Sequence, residues 1–145
     1  MKKFILFGIL VILCSMCAAQ DYDPPLNSKH IEIQKQGSKE ELLKYVSLWL
    51  ESNGFEIDTI HNSLPFLTTK YRKFKSHISI FDFDFYDNKI IVGGWWLPAR
   101  KESILLKKDF IKHFSTIENN FRSISAFKYM TDLSKELGAN LKFTK

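Results

Sequence analysis

Leu42, Leu43, Val46, Trp49 and Leu50 recur at three- and four-residue steps, which lays a single apolar stripe along a helix. Ser38 and Glu41 precede the stripe as a capping box, and Asn53-Gly54 follows it as a left-handed stop, so the pattern predicts a helix between them. Elsewhere the period is two. Residues 30–34 alternate polar and apolar, as do residues 55–60, and after a turn at His61-Asn62-Ser63 a further extended segment runs over 64–72. Residues 76–86 and 89–97 flank Asp87-Asn88, a two-residue connection that predicts a tight hairpin. Pairing Tyr86 with Lys89 sets Phe81 opposite Gly94 and Asp82 opposite Gly93, so a large ring lies across from a bare glycine.

Pro98 breaks this sheet, and residues 104–114 read equally as a short helix or a buried connection. A second capping box at Ser115-Thr116-Ile117-Glu118 predicts a long helix. Its apolar positions Ile117, Phe121, Ile124, Phe127, Met130, Leu133 and Leu137 step mostly by three, and Gly138 ends it before a last strand over 141–144. Together these elements predict an α+β domain, a curved antiparallel sheet of four to six strands with two main helices packed on one face.

The beginning of the chain follows different rules. Met1-Lys2-Lys3 is a basic start, residues 4–13 are uninterruptedly apolar, and Cys14-Ser15-Met16-Cys17-Ala18-Ala19 is rich in small residues, the layout of a secretory signal peptide. The apolar run is too short for a spanning helix. Two processing routes stay open: cleavage after Ala19, or cleavage before Cys17 with lipidation of that cysteine. On this reading residues 1–19 are a leader, 20–29 a linker containing Pro24 and Pro25, and 30–145 one domain. The protein is then exported, and is either periplasmic or secreted, or lipid-anchored in the envelope.

The full chain has 145 residues, 45% hydrophobic and 26% charged, with 13 phenylalanines to fill a core. Its net charge of +5 shrinks to +3 once the leader lysines are set aside, and both cysteines leave with the leader, so thiol and disulfide chemistry are not expected in the domain. Export argues against a nucleic-acid partner.

Four groups of residues carry candidate chemistry. Asp82 and Asp84 share one strand face with Cα atoms about 7 Å apart, a spacing at which paired acids can hydrolyse glycosides; the plainer reading is a wet sheet face opposite Phe81, Phe83 and Phe85. Lys70, Arg72, Lys73 and Lys75 alternate with Tyr71 and Phe74, and would bind anionic lipid or acidic glycan or else form a solvated turn. Trp95 and Trp96 must point to opposite faces, leaving one as core and the other as a stacking platform or partner anchor unless a helix covers it. His30, His61, His77 and His113 stand at no metal spacing, and no nucleophile motif or phosphate loop is present, so neither metal nor cofactor is expected.

The helix end Trp49-Leu50-Glu51-Ser52-Asn53-Gly54-Phe55, followed by Ile57-Asp58 and the returning Leu67-Thr68-Thr69, is similar to small Gram-negative envelope lipoprotein modules. These include the domains of the β-barrel assembly lipoprotein C and secreted domains of unknown function. The resemblance covers the order of elements over about residues 29–143. It implies helices on one face of a curved antiparallel sheet and an accessory role without catalysis, and no functional residue carries over from it. The expected function is therefore a non-enzymatic envelope module that binds a protein or envelope polymer. A toxin-neutralising immunity or inhibitor protein is the alternative, and a hydrolase using Asp82 and Asp84 the third reading.

Overall fold

The computed structural model describes residues 24–61 and 65–145. The leader, Cys17, the Ala19 cleavage point and the turn residues Asn62 and Ser63 lie outside the described residues. Within them the chain runs β1 (His30–Gln34), α1 (Lys39–Ser52), β2 (Ile57–His61), β3 (Phe66–Thr69), β4 (Arg72–Lys73), β5 (His77–Tyr86), β6 (Lys89–Pro98), β7 (Ser115–Thr116), α2 (Ile124–Leu137) and β8 (Asn140–Thr144). The strands make one antiparallel sheet in the order β2-β3-β5-β6-β1-β8, with the two-residue strands β4 and β7 added on β5 and β6. Both helices pack on the same face, which makes the fold α+β with an open, curved sheet.

The β5–β6 hairpin is the spine of the sheet. Its ten paired positions run from Tyr86↔Lys89 to His77↔Pro98 and include Phe81↔Gly94 and Asp82↔Gly93, the register that the Asp87-Asn88 turn predicts. Asn88 takes a positive φ of 60° to close that turn. The turn is tied down from outside: the Gly37 amide donates to the Asn88 side chain and the Lys39 amide, at the start of α1, donates to Asp87. A carboxylate placed at a helix N-terminus is favoured by the helix dipole, so hairpin and helix start fix one another.

α1 begins and ends as its sequence predicts. Ser38 and Glu41 form both halves of the capping box, and Gly54 at φ 72° carries the chain out of the helix. Its buried stripe of Leu42, Val46 and Leu50 shares one core with Phe127, Met130 and Leu137 of α2 and with Ile31, Ile33, Leu67, Phe81, Phe83, Phe85, Ile90 and Val92 of the sheet.

The start of α2 departs from the sequence pattern. No helix begins at Ser115: Ser115 and Thr116 pair with Trp96 and Trp95, and the Ile117 amide donates to the Gly94 carbonyl, so this stretch is spent on the sheet. The Asn120 side chain then accepts from the amides of Arg122 and Ser123, a local turn that competes with helix formation. Helix geometry starts only at Ile124. Phe121 and Ile124, read as part of the stripe that steps mostly by three, are consequently exposed, and the remaining buried positions Ala126, Phe127, Met130, Leu133, Ser134 and Leu137 follow an ordinary straight helical face.

Residues 24–29 lie against the loop before α2. Asn119 donates through its side chain to the carbonyls of Pro24 and Pro25, its carbonyl accepts the Asn27 amide, and Ser28 is fully buried.

Candidate functional site

The sheet has a second face, opposite the helices. Alternation along β5 and β6 puts Ile78, Ile80, Asp82, Asp84 and Tyr86 beside Leu97, Trp95, Gly93, Ile91 and Lys89 on it. Apolar residues gather at one end and polar ones at the other. Ile78, Ile80 and Leu97 are nonetheless buried, because residues 99–114 cross that end as a strap. The stretch that sequence left as a short helix or a buried connection is not buried: it forms two short 3-10 helices, Ala99–Leu106 and Phe110–His113, with no fully buried side chain.

Between strap and sheet lies a cavity of about 500 Å³. Tyr71, Ile80, Trp95, Phe110, Ile111 and Phe114 supply its apolar wall, and Asp58, Thr68, Thr69 and Lys70 its polar members. The wall is braced by edge-to-face contacts of Phe110 with Tyr71 at 6.0 Å and with Phe114 at 6.2 Å. Trp95 stays 39% exposed even though it faces the strap. A pocket of this size and lining suits a bulky apolar group.

A second hollow of about 750 Å³ opens at the same end of the hairpin, where β4 turns into β5 and the strap leaves β6. It is lined by Lys75, Ser76, Trp96, Pro98, Ala99, Arg100, Lys101, Phe121 and Arg122, so four cations stand around two aromatic rings with no acid among them.

The sequence-derived candidates separate between these places. Trp95 and Trp96 do point to opposite faces: Trp95 walls the apolar cavity, and Trp96 packs against the helix-side core while lining the basic hollow. The Lys70–Lys75 run comes apart in the fold. Lys70 pairs with Glu56 at 2.8 Å, and the pairing raises the pKa of the lysine and lowers that of the carboxyl. Arg72 donates to the Asn53 carbonyl at the end of α1, with its guanidinium 4.2 Å from the Phe55 ring centre, so it braces the core. Lys73 pairs with Glu102 of the strap, and only Lys75 reaches the basic hollow.

Asp82 and Asp84 do share a face, but their surroundings differ from a plainly wet one. Asp82 Oδ1 is buried without a hydrogen-bond partner among the described residues. Burial first, and the charge of Asp84 second, push the Asp82 carboxyl up to a pKa of about 6. Gly93 makes this placement feasible. A Cβ there would stand 2.9 Å from Asp82 Oδ1 and 3.1 Å from His30 Cδ2, so the carboxyl occupies the space a side chain would need. Asp82 lines neither hollow.

Residues that sequence reasoning missed are Phe110, Ile111 and Phe114 on the strap, and Arg100, Lys101, Phe121 and Arg122 at the basic hollow. The strap had a usable signal: six large apolar residues within 104–114 follow neither helical nor strand period, which fits a segment lying across another surface. Among the described residues no three His, Cys, Asp or Glu side chains gather as a metal cluster, and no helix is long and apolar enough to cross a membrane. Comparison with protein-family models, with curated proteins and with solved structures finds no match to this chain.

Proposed function

We propose that the protein is an exported, non-enzymatic binding module that holds a bulky apolar side chain of a partner protein in the cavity under the strap. The observation that carries this reading is the cavity itself, aromatic-walled and about 500 Å³, on the sheet face that the helices do not use. Its polar members come mainly from β2 and β3, and β2 is an edge strand of the sheet, so an extended partner segment running beside β2 could place one side chain inward. The secretory layout of residues 1–19 and the likeness to envelope lipoprotein modules support an envelope address, either free or anchored at Cys17.

A neutral apolar dye, Nile red, tests the cavity without engaging the cations. It is expected to bind with one site per chain and to quench Trp95. Thr68→Phe, which fills the cavity, should weaken binding about tenfold or more while leaving the fold intact, as loss of roughly 1.4 kcal/mol of apolar burial requires. Unchanged dye affinity in Thr68→Phe, or no saturable binding, contradicts the reading.

Hydrolysis, third among the readings drawn from sequence, is favoured by the raised pKa of Asp82 beside Asp84. A double change of both to Asn that leaves every envelope phenotype and tested activity intact removes it.

A further inference from the structure

We infer that the basic hollow is a second, separate site, which takes the phosphate of an anionic lipid headgroup and seats this end of the molecule on a membrane surface. Lys75, Arg100, Lys101 and Arg122 come from three different parts of the chain and converge on one concavity. Among the described residues none of the four has a carboxylate within ion-pair distance, although Lys29, Lys39, Lys70, Lys73, Lys89 and Lys112 elsewhere all do. Four unneutralised cations around a hollow repel one another, and an anion bound among them relieves that repulsion. Two are arginines, whose planar forks fit phosphate oxygens in pairs.

The rim distinguishes a lipid from a soluble phosphate. Phe121 lines the hollow and is 85% exposed, with the Arg122 guanidinium 5.4 Å from its ring centre. A large ring held in water beside cations is costly for a soluble ligand site, yet it is the arrangement of an interfacial anchor, with the ring in the acyl boundary and the cations at headgroup level. The site is independent of the strap cavity, which lies on the other sheet face and contains Trp95 instead of Trp96.

Co-sedimentation of the full chain with phosphatidylglycerol-phosphatidylcholine vesicles tests this, and pure phosphatidylcholine vesicles set the baseline for whatever the leader contributes. Arg100→Ala with Lys101→Ala should weaken binding to the anionic vesicles about thirtyfold, from about 1 kcal/mol per surface cation. Phe121→Ser should also weaken it, and about 0.5 M salt, roughly three to four times a physiological level, should abolish the difference between vesicle types. Lys44→Ala with Lys142→Ala, an equal loss of charge outside the hollow, should bind as the unaltered chain does. All four positions are exposed, so loss of folding does not enter. The inference is overturned if both charge pairs lose binding equally, if Phe121→Ser binds normally, or if glycerol phosphate competes fully at matched phosphate concentration. A soluble polyanion such as heparin binding while the anionic vesicles do not also overturns it.

Discussion

Gly94→Ala is expected to destabilise the fold by about 3 kcal/mol, a large effect for one methyl group. A Cβ at this position would stand 2.5 Å from the Ile80 carbonyl oxygen, 3.2 Å from Ile117 Cδ1 and 3.3 Å from Phe81 Cδ1. Side chains can yield by changing rotamer, but the closest atom belongs to the neighbouring strand's backbone, in the middle of the longest ladder of the sheet. Relief would have to come from moving β5 against β6. Shortening Phe81 in the same chain should therefore not rescue the variant. It opens a cavity where a fully buried ring packs on Phe55 and Tyr129, and adds its own cost of roughly 3–5 kcal/mol. Urea unfolding reads both effects; a Gly94→Ala chain as stable as the parent would mean that the β5–β6 pairing differs from the one described.

Asp82→Asn is expected to stabilise the protein at pH 8 by about 1–2 kcal/mol and to give no advantage near pH 4. Asp82 is an acid whose folded pKa, about 6, lies above the ordinary aspartate value of 3.8. The folded state therefore keeps the proton that the unfolded chain releases. Its contribution to stability is greatest below pH 4, declines as pH rises through 6, and is level above that. The full difference is roughly 3 kcal/mol at most, and an asparagine amide at the same place leaves part of it unrelieved because Oδ1 has no partner there. His77, whose pKa burial lowers, works in the opposite direction on acidification, but it is present in both chains and cancels in the comparison. Denaturant titrations of the two chains at pH 4.5 and pH 8 check this, and an equal difference at both values would contradict it.

These two positions also show what could be read from the chain alone. The Phe81–Gly94 and Asp82–Gly93 pairs follow from period-two alternation about a two-residue turn, because strand register is a local, countable property. The bounds of α1 are legible for the same reason, since Ser38, Glu41 and Gly54 act within a few residues of themselves. The environment of Asp82 is not local. It depends on a bare Gly93 across the ladder and on His30 one strand further, which no spacing along the chain encodes. The second capping box misleads because Ser115 and Thr116 had a competing use, pairing with β6, and a tertiary ladder outweighs a local cap. The basic run from Lys70 to Lys75 shows the reverse error. Neighbours in sequence are dispersed by a strand and its turns, while Arg100, Lys101 and Arg122, far from Lys75 along the chain, join it in space.

The most direct measurement of the cavity as a partner site is photo-crosslinking in the producing cell. Ile111 walls the cavity from the strap and is 65% exposed, so a benzophenone analogue of phenylalanine at that position reports on whatever enters. The expected result is one adduct of discrete mass that disappears when Thr68→Phe is added and does not form from position 44 on the far side of α1. Adducts that persist in the filled cavity, or none from position 111 while other exposed positions capture a partner, would contradict a binding role for the space beneath the strap.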